Sequence, residues 1–259
     1  MCILFIAIGQ HSDYPLIVTA NRDEYFARAS DPMHYWPDHP QILAGRDRQA
    51  GGTWLGVNQQ GRFAAVTNYR SSTKLNSDAR SRGELVTRFL NSGANRQELD
   101  EFNQFLASEH HYYNPFNLIY GDLKSLFAWS HTEANWYTLK PGFHSVSNGP
   151  IDQHWPKMSR GVEKLTGYIR ASDVIEPDRL LQIMHDTTRA NVSQLPETGI
   201  DTSREQQLSS IFVRGTDYGT RTTTLLLFSS NQIELTEYNY GSDGDTSCAN
   251  KFIVKRAID

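Results

Sequence analysis

Apolar positions gather at the start of the chain in two short runs, residues 3–9 and 16–20, rich in Ile, Leu, Val and Phe and parted by the stretch from Gly9 to Pro15. Runs of this length bounded by turn residues predict a hairpin of largely buried strands. A second strand pair is predicted at 54–57 and 63–67, with Asn58-Gln59-Gln60-Gly61 as its turn. Just ahead, Gly51-Gly52-Thr53-Trp54-Leu55-Gly56 reads as a tight approach in which glycine permits close backbone contact. The period then changes. Leu85, Val86, Phe89 and Leu90 share one helical face, and Leu99, Phe102, Phe105 and Leu106 repeat the spacing. Strands return at 117–120, 126–129 and 136–139, and Asn148-Gly149-Pro150 closes that block. Helices are predicted over 159–169 and 177–189, the second carrying Leu180, Leu181, Ile183 and Met184. Residues 191–208 are polar and read as a loop with a short helix. Strands at 211–213, 222–229 and 233–240 end the pattern.

Residues 3–8 and 222–229 are apolar on both faces, as in strands covered by a layer on either side. Strand blocks alternate with helix pairs, and no repeat, low-complexity tract or Pro/Gly/Ser linker interrupts them. The expectation is one α+β domain over residues 1–259, a four-layer αββα sandwich with mostly antiparallel sheets.

Composition narrows the partners. The 259 residues carry 38% hydrophobic and 21% charged side chains and a formal net charge of -4, so a packed core is expected and no electrostatic footprint for nucleic acid. Arg70, Lys74, Arg80 and Arg82 form a basic stretch broken by Ser, Thr and Asp, read first as a solvated loop and second as an anion-binding loop. Cys2 and Cys248 are the two cysteines; they imply no disulfide framework and fit a reducing compartment. With no basic leader and no run long enough to span a bilayer, a cytoplasmic protein is expected. Metal-ligand spacings, Walker loops and dinucleotide loops are not found, and no metal or cofactor is expected.

Cys2 is the candidate with most chemical content. If Met1 is removed, residue 2 holds both a thiol and a free α-amine, a nucleophile and a base suited to amide hydrolysis. The alternative is a cysteine acting as a small buried hydrophobe. Asn21-Arg22-Asp23-Glu24 ends the strand that pairs with the Cys2 strand, within reach of the chain start. There Asp23 would accept from an α-ammonium and Arg22 would lower the thiol pKa; a polar strand end with a surface ion pair is the competing reading. Asn68 and Asn148 follow β-forming runs and offer uncharged donors for an oxyanion, against a turn-forming role. Arg221, before the longest apolar strand, would contact a substrate carboxylate or the nucleophile, or else be a strand-edge arginine.

Met1-Cys2, Asn21-Arg22-Asp23-Glu24, Gly51 to Gly56, Thr67-Asn68-Tyr69-Arg70, Ser81-Arg82-Gly83, Ser147-Asn148-Gly149 and Gly219-Thr220-Arg221 together resemble the NRDE family, also known as the transport and Golgi organisation protein 2 family. The resemblance runs nearly end to end and implies a fold of the N-terminal-nucleophile hydrolase type. More remotely the chain is similar to choloylglycine hydrolases and penicillin V acylases. That likeness implies Cys2, Arg22, Asp23, Asn68, Asn148 and Arg221 as catalytic positions, although Arg22 and Asp23 are adjacent here where those amidases space the pair. Adjacent residues on a strand point to opposite faces. Two functions follow: an amidohydrolase acting on non-peptide C–N bonds of a small acyl ligand, or a non-catalytic carrier in haem trafficking or lipid homeostasis. Haem would call for an axial ligand, and His110-His111-Tyr112-Tyr113, the densest such cluster, reads rather as a polar helix end.

Overall fold

The computed structural model describes residues 2–70, 75–93, 95–131 and 133–256. Strands β1 (Cys2–Ile8) and β2 (Leu16–Tyr25) form the expected opening hairpin, followed by β3 (Ser30–Tyr35), β4 (Ile42–Asp47), β5 (Leu55–Asn58) and β6 (Phe63–Asn68). Helices α1 (Gly83–Asn91) and α2 (Arg96–Glu109) lead to β7 (Phe116–Gly121), β8 (Leu126–Ser130), β9 (Asn135–Thr138) and β10 (Gly142–Val146). The chain continues through α3 (Pro156–Ala171), α4 (Pro177–Met184), the short α5 (Thr202–Gln207), β11 (Tyr218–Phe228), β12 (Gln232–Tyr240) and β13 (Thr246–Lys255). These strands make two sheets, ordered β10-β1-β2-β11-β12-β13 and β3-β4-β5-β6-β7-β8-β9, with antiparallel pairing throughout.

Side-chain parity assigns the layers. In β1, Cys2, Leu4 and Ile6 join Leu16, Val18, Ala65, Ile119 and Leu226 between the sheets, while Ile3, Phe5 and Ala7 pack on Met158, Leu165 and Leu180 of α3 and α4. On the far side of the second sheet, Val66, Leu118 and Tyr120 meet Leu85, Phe89, Phe102 and Leu106 of α1 and α2. Helix, sheet, sheet, helix is the αββα sandwich expected from the sequence. Each fully buried Leu, Ile or Phe contributes about 1.5–3 kcal/mol, so the middle layer, fed by both sheets, is a large share of what holds them together. Local signals agree: α2 starts at an Asn95/Glu98 capping box, and α3 and α4 each start at a proline.

The departures lie where one strand face meets solvent or ladder bonds are few. β3, β10 and β13 have mixed polarity, and β4 has only Ile42, Leu43 and Ala44 before Gly45; none was expected. β3 holds Pro32 at the edge of its sheet, at an irregularity of register, where the missing N–H costs no ladder bond. β2 runs on through Asn21-Arg22-Asp23-Glu24. Residues 211–213 are not a strand: the N–H groups of Ile211 and Phe212 both donate to the Asp186 carbonyl, so this apolar segment caps the end of α4. α4 stops at Met184 rather than 189, because the Asp186 carboxylate takes the Thr188 N–H together with Arg160 and Lys164. His110–Tyr112 form a 3-10 turn closing α2. Among the described residues no helix is long and apolar enough to cross a membrane.

Candidate active site

Cys2 stands directly opposite Arg22 in the β1–β2 ladder. Both side chains lie on the face between the sheets, where the Arg22 guanidinium sits 4.3 Å above the Trp54 ring. Asp23, one residue on, turns to the helix face. It accepts from the Thr220 hydroxyl at 2.7 Å and is 1% exposed. Alternation thus separates the adjacent pair, yet both stay beside residue 2, because a strand terminus borders both faces of its sheet. Arg22 can act on the side chain of Cys2, and Asp23 on the backbone end.

A cavity of about 430 Å³ opens here, lined by Cys2, Arg22, Asp23, Glu24, Trp54, Asn68 and, across it, by Arg80, Arg82 and Gly83. Two glycine-bearing segments form its wall. Gly52 lies so close to α1 that an added Cβ would sit 2.6 Å from the Gly83 carbonyl carbon, and Thr53 N–H donates to the Gly83 carbonyl. The Gly51 to Gly56 segment therefore packs by its backbone on the start of α1.

The segment Ser147-Asn148-Gly149 ties the sheets together behind the cavity. The Ser147 hydroxyl donates to the Cys2 carbonyl (3.1 Å), Asn148 Nδ2 to the Asn68 carbonyl (2.9 Å), and Asn117 Nδ2 to the Gly149 carbonyl (2.8 Å). Asn68 lines the cavity; Asn148 does not, and one of its donors is already committed to positioning Asn68. Arg221 is also outside the cavity. It falls at a β-bulge between Thr220 and Thr222, and its guanidinium binds the carbonyls of Tyr25, Phe26 and Arg28. The bulge turns it away from Cys2 and onto the β2–β3 turn. Asn21 holds the Met184 and Ile211 carbonyls, fastening α4 to β2.

The basic stretch departs from a solvated loop. Arg70 is buried against Glu205, which also accepts from Thr198; Arg80 pairs with Glu84 and Glu109; Arg82 faces the cavity. Lys74 and Met1 lie outside the described residues. Two residues outside the catalytic candidates belong to this neighbourhood. Arg82 was signalled by its place in the basic stretch, whose second reading was an anion-binding loop, and in Ser81-Arg82-Gly83, just before the apolar period of α1. Lys157, 3% exposed in the first turn of α3, had no signal, since it looks like any helix-surface lysine.

Burial sets the proton affinities. It pushes the Cys2 thiol up, with the Asp23 carboxylate adding to the effect, so the thiol is protonated at neutral pH. Burial also raises Asp23, while Lys157 and the Thr220 hydrogen bond oppose it. Lys157 is brought down to about 8 by burial and by Arg70. A buried thiol beside a guanidinium, with an amide side chain on the cavity wall, can form and support an acyl adduct once a base takes its proton. Among the described residues no group of three or more His, Cys, Asp or Glu side chains could hold a metal ion.

Comparison with known proteins agrees with this architecture. The family model described as Transport and Golgi organisation 2 matches residues 1–242. The Transport and Golgi organization 2 homolog of Mus musculus is 32% identical, covering 95% of both chains, and that of Homo sapiens is 32% identical over 88% of both. Among solved structures, the C2A mutant of conjugated bile acid hydrolase from Clostridium perfringens superposes with a TM-score of 0.54 at 9% identity, covering 100% of this chain and 97% of that one. A Caenorhabditis elegans N-acylethanolamine-hydrolyzing acid amidase ortholog gives 0.52 at 12% identity, covering 87% and 92%. These likenesses show a fold of the N-terminal-nucleophile hydrolase type.

Proposed function

Because the chain belongs to the Transport and Golgi organisation 2 family and is folded like N-terminal-nucleophile hydrolases, we propose that it is an N-terminal cysteine hydrolase of non-peptide C–N amide bonds in a small acyl substrate. The observation that carries the reading is the placement of Cys2 at a strand terminus on a cavity shared with Arg22, Asp23 and Asn68. Removal of Met1 frees the α-amine of Cys2, whose ordinary pKa near ~8 suits it to take the thiol proton. Sγ then bonds to the substrate carbonyl carbon, and the oxyanion accepts from the side chain of Asn68, whose main-chain carbonyl Asn148 holds. As the C–N bond breaks, the α-ammonium returns the proton to the leaving amine, and water hydrolyses the thioester by the reverse sequence. Asp23 orients the α-amine, and Arg22 favours the thiolate against the burial that disfavours it. Arg221 supports this site through the β2–β3 turn.

A carrier of haem or a lipid-like ligand draws less support, since among the described residues seven charged side chains line the cavity and no histidine does. The test combines intact mass with acylation by an amide or β-lactam probe. Expected are a protein beginning at Cys2, a modified peptide containing Cys2, and loss of both labelling and acyl-amide hydrolysis in Cys2→Ala. A mature protein retaining Met1, or labelling confined to Cys248, refutes the mechanism.

A further inference from the structure

Among the described residues four guanidinium groups line the cavity, and three have carboxylates nearby. Arg28 is bound to Asp47 at 2.6 Å, Arg80 to Glu84 and Glu109, and Arg22 lies 3.9 Å from both Glu24 and Asp47. Arg82 has no carboxylate within salt-bridge distance among the described residues; its Nη1 donates to the Pro115 carbonyl at 3.1 Å. A guanidinium offers five N–H donors, so Arg82 keeps donor capacity beyond this bond on the cavity it lines. Arg22 adds a second open demand. It is 5% exposed, and its Nη1 has no hydrogen-bond partner among the described residues, a condition that costs a buried donor about 1–3 kcal/mol.

The backbone points the same way. α1 begins at Gly83 on the cavity wall, the preceding residue Arg82 makes no side-chain cap, and a helix start of this kind favours an anion. The Gly52–Gly83 contact fixes this helix end opposite Cys2.

We propose that the substrate carries an acidic group, a carboxylate or phosphate, which Arg82 receives at the start of α1 together with Arg22. The assignment rests on the amidase reading for the identity of the remaining atoms, but anion binding can be measured without turnover. The Cys2→Ala protein is titrated calorimetrically with three matched probes: N-octanoylglycine, N-octanoyl-phosphoethanolamine and the neutral N-octanoylglycinamide. At least one acid is expected to bind about tenfold or more tightly than the neutral amide, the scale of one hydrogen bond to a charged group. The preference weakens with added salt, survives in part in Arg82→Lys, and disappears in Arg82→Gln. Which acid is preferred separates a carboxylate from a phosphate substrate. Equal binding of all three probes, binding of none, or a preference retained in Arg82→Gln overturns the assignment. Acid-selective binding without hydrolysis by the wild type would leave the anion site standing and remove the amidase reading. Hydrolysis indifferent to the acidic group would do the opposite.

Discussion

Replacing Gly52 by alanine tests whether the cavity wall is held by backbone contact. The new Cβ would lie 2.6 Å from the Gly83 carbonyl carbon, 2.9 Å from its oxygen and 3.0 Å from the Glu84 nitrogen. All three are backbone atoms, so no rotamer change relieves the overlap, and the Gly51 to Trp54 segment must move away from α1. That movement strains the bond from Thr53 N–H to the Gly83 carbonyl and shifts Trp54 beneath Arg22. Overpacking of this kind costs about 2 kcal/mol, which for a chain of this size lowers Tm by about 4–8 °C. Gly167→Ala is the matched control. Gly167 is an exposed position of α3 whose added Cβ meets nothing within 4 Å, and the same chemical change there should raise stability by about 0.4–1 kcal/mol. Thermal unfolding of the two variants should therefore move in opposite directions, and only Gly52→Ala should weaken probe binding in the cavity. A Gly52→Ala protein as stable as the wild type would refute the contact.

Arg221→Gln removes the guanidinium that gathers three carbonyls of the β2–β3 turn, and should cost about 1–3 kcal/mol while labelling at Cys2 persists. Loss of labelling with unchanged unfolding temperature would instead place Arg221 in the chemistry. His144 offers a pH test: Nδ1 meets Asp152 at 2.6 Å and Nε2 meets the Lys140 carbonyl at 2.8 Å, two acceptors that only the imidazolium can satisfy together. The Asp152 hydrogen bond raises the His144 pKa, so its stabilisation is complete below the ordinary value near ~6.5 and fades as pH rises through the folded value. His144→Gln should cost about 1 kcal/mol in acid, tempered by the exposure of Asp152, and less at alkaline pH. Tm differences of equal size at both ends of that range would contradict this.

Most of the fold visible in the sequence is covered by another layer. β1, β2, β6, β7 and β11 carry apolar runs and α1 to α4 one-sided helical apolar signals, each packed on a neighbouring layer, whereas the exposed β9 was marked only by its aromatic residues Trp136 and Tyr137. β3, β10 and β13 were hidden by their partial exposure, which admits His34, His144, Asn250 and Lys251 into strands held by ladder bonds rather than by hydrophobic pattern. Residues 211–213 misled for the opposite reason. They are apolar and buried, but their backbone is satisfied by Asp186 and Thr220, so burial alone does not make a strand.

At the site the same distinction separates residue type from geometry. Cys2 was identifiable by its place behind Met1, and Arg22, Asp23 and Asn68 because their polarity ends apolar strands at positions that topology brings to one sheet end. The adjacency of Arg22 and Asp23 looked like a conflict, since a strand sends neighbours to opposite faces. It resolves once residue 2 is seen as a terminus: a mid-strand cysteine could be served from one face only, whereas at the start of a strand the thiol meets Arg22 between the sheets and the main chain lies within reach of Asp23 on the helix side. Asn148 and Arg221 show the reverse limit. Their positions beside motifs were legible, but whether a side chain faces the cavity or a backbone carbonyl depends on a bulge at Thr220 and a crossing of chains at Ser147, and no local pattern of residues records either.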